Sequence, residues 1–297
     1  MTQANSWPTL VVADWQATRD TVHLWTQIVG KVRMATTPHI NHWWHVPLYV
    51  DARGLTTSLM PHRSRGFEIS FDFVEHRLHI RVTDGSSRSM ALEPRSVADF
   101  YAEFCTHLNE LDLAVPIHAR PVELVDATPF AEDTAHASYD ATAMADFWTS
   151  LVSADRVFSA FRGDFSGKNS PVHFFWGAFD LAVTRFSGRA APPHPGGIPN
   201  CPDWVMTEAY SAEVSSAGYW PGGAEEGIFY SYAYPQPQGF EAADLGVDGA
   251  YFDTDLGEFV LPYRTVRTAA EPDALLRKFL DSTAAVAQDL ASWPTNS

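Results

Sequence analysis

The chain has 297 residues, of which 45% are hydrophobic and 13% are aromatic, so it can form a packed core and is not expected to be disordered. Its formal net charge of −16 argues against nucleic-acid and anionic-membrane partners, because phosphate binding requires clustered Lys and Arg. The two cysteines form no CxxC motif, which argues against a thiolate zinc finger and suits a reducing compartment. We find neither a signal-peptide pattern nor an apolar run of membrane-spanning length, so we expect a cytoplasmic protein.

The first half predicts a helix followed by strands. Apolar residues at three-to-four spacing over residues 15–29 predict an amphipathic helix, which Asp14 caps and Gly30 ends. Alternating apolar and polar residues over 67–73 and 78–82 predict an antiparallel hairpin.

A second helix and a linker follow. Ser96 is the predicted N-cap of a helix whose apolar stripe runs to Leu111. Residues 115–138 contain three prolines and show no clear period, so the linker is predicted here.

The second half repeats the first in diverged form. Residues 170–183 echo residues 38–50, with His173 aligned to His42. The helical segment at 148–152 likewise echoes 25–29.

The remaining elements of this half are mostly strands. We predict a long strand over residues 172–186 and a strand over 228–234. Residues 206–217 fit either a strand or a helix face, and we favour a strand. Pro272 is predicted to open a final helix.

These patterns predict an α+β fold with two pseudo-symmetric halves, each composed of a helix, antiparallel strands and a helix. The predicted boundaries are residues 1–118 for the first repeat, 119–138 for the linker and 139–297 for the second repeat. No Gly-rich phosphate loop follows a strand, so a dinucleotide-binding fold or a P-loop is not expected.

Four segments resemble a bacterial family of about 300 residues that is catalogued only as a domain of unknown function. They are residues 21–33, His42-Trp43-Trp44-His45-Val46-Pro47-Leu48-Tyr49-Val50, residues 179–189 and residues 257–263. The resemblance extends over nearly the whole chain but implies no known activity, so any function must be inferred from the residues themselves.

Three histidines at regular spacing suggest a metal site. His39, His42 and His45 lie within seven residues beside a Trp pair, and Glu208 is the nominated carboxylate ligand. Three or four convergent N and O ligands suit a first-row transition metal such as Zn or Fe. The alternative is that these imidazoles only form hydrogen bonds within the core.

The same histidines are candidates for proton transfer. We assign His42 and His45 as general acid/base groups, with Glu213 as their carboxylate partner.

Arginines and aromatic residues suggest a ligand pocket. Arg185 and Arg189 alternate along one predicted strand, and with Arg53 they are candidates for clamping an anion. Trp176 and Trp220, with nearby tyrosines, are candidates for the wall of an apolar pocket. Surface salt bridges and core packing are the structural alternatives for these residues.

The leading functional hypothesis is an enzyme acting on a small anionic or aromatic metabolite at a His/carboxylate site between the two halves. A non-catalytic binding or sensor protein is the second hypothesis, and a structural or interaction protein is the third. Neither the reaction nor the oligomeric state follows from the sequence.

Overall fold

A computed structural model describes residues 6–294 of the chain. Within this range the helices are α1 (Val12–Thr36), α2 (Val97–Glu110), α3 (Ala141–Gly163), α4 (Asp203–Ala209), α5 (Tyr263–Arg267) and α6 (Pro272–Leu290). The strands of the first half are β1 (Tyr49–Val50), β2 (Gly54–Thr56), β3 (Met60–His62), β4 (Arg65–Asp72), β5 (Arg77–Val82) and β6 (Ser87–Ala91). Those of the second half are β7 (His173–Phe175), β8 (Asp180–Ala190), β9 (Ala212–Trp220), β10 (Ile228–Tyr234), β11 (Tyr251–Asp253) and β12 (Glu258–Pro262).

The strands form two antiparallel sheets. The first sheet has the order β1-β2-β4-β5-β6, with β3 also paired to β4, and the second has the order β11-β12-β10-β9-β8-β7. Helices and antiparallel sheets together confirm the predicted α+β class. The internal symmetry and the repeat boundaries stay predictions, and residues 1–5 and 295–297 of the predicted repeats lie outside the described range.

One backbone pair joins the two sheets. The Leu48 N–H donates to the Phe174 carbonyl at 2.9 Å, and the Phe174 N–H donates to the Leu48 carbonyl at 2.9 Å. The predicted related segments, residues 38–50 and 170–183, therefore lie beside each other. A continuous hydrophobic core runs through both halves, with residues of α1, α2, α3 and α6 and of both sheets.

Helix α1 differs from its prediction at both ends. Its first residue is Val12 and no side chain caps it, so Asp14 lies within the first turn. The helix also continues past Gly30 to Thr36. A Cβ atom at residue 30 would lie 2.3 Å from the Trp176 indole, so this glycine permits close packing and does not end the helix.

Two strand predictions in the second half need correction. Residues 172–186 are a hairpin, because β7 and β8 are separated by a turn in which Phe179 has φ 64°. Residues 206–217 were predicted as a strand, but they contain the end of helix α4 as well as the start of β9. The helical and the strand spacing of apolar residues in this segment therefore each describe one part of it.

The other local predictions agree with the structure. Strands β4 and β5 form the predicted hairpin, with Ile69 opposite Ile80. The Ser96 hydroxyl accepts a hydrogen bond from the Asp99 N–H at 3.0 Å, as an N-cap does.

The predicted linker contains no helix or strand and packs over α1. The Gln27 amide group bonds both backbone groups of Val122, accepting from its N–H and donating to its carbonyl, each at 2.9 Å. This double contact fixes the residue that follows, Glu123, against the body of the protein. Between residues 6 and 294, no helix combines the length and the apolar character needed to cross a membrane.

We predict that Gly30→Ala lowers the free energy of unfolding by about 1–3 kcal/mol, because the added methyl group overlaps the buried Trp176 ring. Urea unfolding followed by circular dichroism measures this change. Gly163→Ala is the control, because a Cβ atom at this position of α3 meets no atom within 4 Å. Equal stability of the two variants would contradict the packing role of Gly30.

Candidate functional site

A cavity of about 970 Å³ lies between α1, the linker and the face of the second sheet. Its wall includes residues between 19 and 46 as well as residues between 118 and 258, so both halves contribute to it. This volume is at the upper end of the range that small-molecule sites occupy.

Tryptophans supply much of the cavity wall. Five of the chain's ten tryptophans line it, namely Trp43, Trp44, Trp176, Trp204 and Trp220. Trp176 and Trp220, which the sequence nominated for ligand binding, are among them. The Trp176 Nε1–H donates to the Val46 carbonyl at 2.8 Å, which fixes the ring in place. Rigid aromatic faces of this kind suit a flat ligand.

Asp180, the first residue of β8, is the most buried acid of the cavity wall. It is 7% exposed, and its carboxylate accepts a hydrogen bond from the Tyr230 hydroxyl. Burial raises the pKa of Asp180 to about 6, and the bond from Tyr230 opposes this shift.

Glu258 and Glu123 also line the cavity. Burial and the nearby charge of Asp180 raise the pKa of Glu258 to about 7. Loss of solvation and Asp180 likewise raise the pKa of Glu123 to about 7, although the residue as a whole is exposed. A ligand in the cavity therefore meets acids that exchange protons near neutral pH.

The backbone at Glu123 is strained. Its φ is 61°, a left-handed conformation that non-glycine residues rarely adopt, and its N–H donates to the Pro199 carbonyl at 2.8 Å. A Cβ atom at residue 177 would lie 2.0 Å from Glu123 Oε1, so the carboxyl group packs where Gly177 has no side chain. Such strain is typical of functional positions.

Tyrosine hydroxyls complete the polar part of the wall. The Tyr210 and Tyr232 hydroxyl oxygens are 2.8 Å apart, and the Tyr230 and Tyr232 rings stack. Burial raises the pKa of Tyr232 to about 12 and moves those of Tyr210 and Tyr230 well above the usual value. All three hydroxyls are therefore neutral at physiological pH.

The His/Trp segment forms a 3₁₀ turn, Asn41–Trp43, at the edge of the cavity. Both His42 and Trp43 have positive φ, 58° and 61°. His42 Nδ1 lies 3.2 Å from the Ala209 carbonyl oxygen, so Nδ1 carries the proton. His42 Nε2 lies 2.9 Å from Lys168 Nζ and accepts from it. Both ring nitrogens are thus engaged with protein groups, and burial lowers the pKa of His42.

His45 and His39 lie on the other side of this turn. His45 is 3% exposed, its Nδ1 accepts from the Ile40 N–H at 3.3 Å, and burial lowers its pKa. His39 is exposed, and its Nε2 lies 2.7 Å from Glu208 Oε1. One of the nominated carboxylates therefore does contact one of the nominated histidines.

The four nominated metal ligands do not converge on a common point. Among residues 6–294, one group of three His, Cys, Asp or Glu side chains has its ligand atoms within 4.8 Å of one another, and this group is Asp72, Glu75 and His79. Arg53, which was nominated for ligand binding, pairs with both Asp72 and Glu75 there. The Arg53 guanidinium thus already neutralises these carboxylates, and the donor sets do not fit the predicted Zn or Fe centre.

The predicted arginine clamp is not assembled. Arg185 packs its guanidinium 3.5 Å from the centroid of the Phe161 ring, whereas Arg189 Nε lies 2.7 Å from Glu213 Oε2. A register shift between Phe186 and Ala190 breaks the alternation that should have placed both arginines on one face. Glu213 is therefore paired to Arg189 and not to His42 or His45. None of these three residues, nor Arg53, lines the cavity.

Six charged residues of the cavity wall were not nominated from the sequence, namely Arg19, Asp20, Lys31, Glu123, Asp180 and Glu258. Asp180 lies in a segment noted for its family resemblance, and Glu258 follows a polar turn, but neither position has a local pattern that marks a site. The one sequence feature that could have drawn attention to Asp180 is that a carboxylate stands among the apolar residues at the start of a strand.

A family model described as a family of unknown function, DUF5996, matches residues 7–297. No curated protein and no solved structure matches the chain.

We predict that Asp180→Asn flattens the pH dependence of stability. The pKa of Asp180 is raised on folding to about 6. The protonated carboxyl group therefore contributes its full share to the free energy of unfolding below about pH 4, and this share is lost as the pH rises through 6. Each pH unit of that displacement corresponds to about 1.4 kcal/mol, so between pH 4 and pH 8 wild type should lose roughly 2–3 kcal/mol more than the variant.

Urea unfolding at several pH values measures this difference. Glu132→Gln, which removes an exposed carboxylate, is the matched control and should follow wild type. Parallel pH profiles for wild type and Asp180→Asn would show that the carboxyl group does not titrate as its burial implies.

Proposed function

We propose that this chain, which belongs to the DUF5996 family of unknown function, is an enzyme that acts on a small aromatic metabolite in the cavity. The observation that carries the proposal is the arrangement of Asp180, Glu258 and Glu123 in one tryptophan-lined cavity, with pKa values raised to between about 6 and about 7. Perturbed acids in an apolar pocket are the usual mark of proton-transfer chemistry.

Of the two substrate classes that the sequence suggested, the aromatic class has the stronger support. Stacking surfaces are provided by the tryptophans, whereas the anionic class depended on Arg185 and Arg189, which are engaged elsewhere. Asp180 and Glu258 are the proposed acid/base groups, in place of His42 and His45. Tyr230 acts as a positioning residue, because its hydroxyl holds the Asp180 carboxylate through a hydrogen bond.

The acidic composition and the two cysteines support a cytoplasmic enzyme without a nucleic-acid partner. A metal is not part of the proposal, because the nominated ligands lie apart and the proton-transfer groups named here are carboxyl groups.

A non-catalytic binding protein is the second candidate. Trp176, fixed by its bond to Val46, and the stacked pair Tyr230 and Tyr232 offer rigid surfaces that can hold a flat ligand without chemistry.

We predict that a small aromatic compound from a metabolite mixture binds this cavity, quenches tryptophan fluorescence and is chemically converted. Asp180→Asn should keep binding within a few-fold and reduce turnover by about 10²–10⁴-fold, the usual contribution of a general acid or base. Thermal-shift screening finds the compound, and mass spectrometry follows its conversion.

Glu93→Gln, at an exposed carboxylate outside the cavity wall, is the matched control and should keep full turnover. Binding without conversion by wild type would favour the second candidate. Unchanged turnover in Asp180→Asn would remove Asp180 from the mechanism.

A further inference from the structure

Lysine is rare in this chain, and one of its lysines is in the cavity wall. Of twenty Lys and Arg residues, three are lysines. Lys278 is exposed on α6, Lys168 contacts His42, and Lys31 is 1% exposed on α1 and lines the cavity. Arginine supplies most of the positive charge of the chain, so a buried lysine at this position needs its own explanation.

Lys31 Nζ makes no hydrogen bond and no ion pair with any of residues 6–294. Its near neighbour is the Trp176 ring, whose centroid is 5.7 Å away. The other buried cations of the chain are treated differently, since Arg33 donates to the Thr57 carbonyl and Arg185 to the Phe161 carbonyl. An unpaired, poorly solvated ammonium is costly, so burial shifts the Lys31 equilibrium toward the neutral amine.

The electrostatics agree with this geometry. Burial lowers the pKa of Lys31 to about 8, and electrostatic interactions with Cys201 and Glu123 oppose the shift. At slightly alkaline pH the amine therefore has a free lone pair. Arginine could pair with an anion at this position at least as well, but a guanidinium does not lose its proton.

Glu123 lines the same cavity as Lys31, and each of these two groups shifts the pKa of the other, although Cys201 acts more strongly on the pKa of Lys31. With a pKa raised to about 7, Glu123 carries a proton in a large fraction of molecules at neutral pH. The pair thus combines a nucleophilic amine with a proton donor, which is the combination that imine formation requires.

We propose that Lys31 forms a Schiff base with an aldehyde or ketone bound in the cavity, with Glu123 as the proton donor. The Nζ lone pair adds to the carbonyl carbon, and the carbonyl oxygen takes a proton to give a carbinolamine. Nitrogen then loses a proton to the Glu123 carboxylate, and the hydroxyl group takes a proton from Glu123 and leaves as water. The C=N bond that forms releases its nitrogen proton to Glu123, which restores the carboxylic acid. The balance is one amine and one carbonyl to one imine and one water, without an oxidant or a reductant.

This proposal rests on the proposed function, because it assumes that the cavity is the ligand site. It narrows the aromatic substrate to a carbonyl compound. The rival role for Lys31 is a permanently charged anchor for a ligand carboxylate, and the experiment below separates the two.

The experiment is reductive trapping. Intact protein is incubated with benzaldehyde and sodium cyanoborohydride at pH 7.5, digested and analysed by peptide mass spectrometry. We expect the benzyl adduct on Lys31 to exceed that on exposed Lys278 by about tenfold or more, because the lowered pKa of Lys31 leaves more of its amine unprotonated than in an ordinary surface lysine.

Two variants test the assignment. Glu123→Gln should slow labelling of Lys31 about tenfold or more and leave labelling of Lys278 unchanged, as expected when a general acid is removed. Lys31→Arg should lose the cavity adduct while it keeps the charge that an anion anchor needs.

Labelling of Lys278 without labelling of Lys31 in the wild-type protein would overturn the proposal, and this result does not depend on any variant folding. The proposal would also be overturned if the Lys31→Arg variant converted a cavity ligand as fast as the wild-type protein does. An adduct at Lys31 in a protein that converts no ligand would support the Schiff base and reject the acid/base enzyme. Conversion of a ligand without an adduct at Lys31 would support the acid/base enzyme and reject the Schiff base.

Discussion

The close approach of the Trp176 indole to α1 at Gly30 is the contact on which the cavity depends. It places an aromatic ring beside Lys31, and the Trp176 Nε1–H then bonds the Val46 carbonyl at 2.8 Å, which ties the front half to the rear. The next residue, Gly177, offers its carbonyl oxygen to His23 Nε2 at 2.9 Å and its bare Cα to the Glu123 carboxyl group. Two glycines thus hold a tryptophan and an acid against one helix.

The cost of this arrangement is electrostatic. The charge of Asp180 acts on both Glu123 and Glu258, and each of the three acids has a pKa that loss of solvation raises. A chain selected for stability alone would replace them with apolar or amide side chains. The strained backbone at Glu123 adds to the cost, so the cavity has the features of a site kept for its chemistry.

Local patterns predicted well those elements whose interactions are local. The hairpin of β4 and β5 was predictable because side-chain alternation reflects burial of one sheet face. Gly30 was misread as a helix end, because the ring that explains it belongs to Trp176, far along the chain. The alternation of Arg185 and Arg189 failed because a register shift lies between them.

The candidate site was predictable only in part, for the same physical reason. Trp176 and Trp220 were found because large aromatic residues in apolar segments mark a buried surface. Glu123 lies in a linker without periodicity, and Lys31 is one more position on a long helix. Their significance arises from the packing of α1 against the linker, which no local spacing encodes.

The reciprocal backbone pair between Leu48 and Phe174 has a consequence for dividing the protein. A polypeptide that stopped at residue 118 would lack Phe174 and the segment that covers α1, so it would expose the Leu48 backbone groups and the covered face of α1 to solvent. Separate expression of the two halves would therefore produce aggregation-prone fragments, and a split form of this protein would need both pieces made together in one cell.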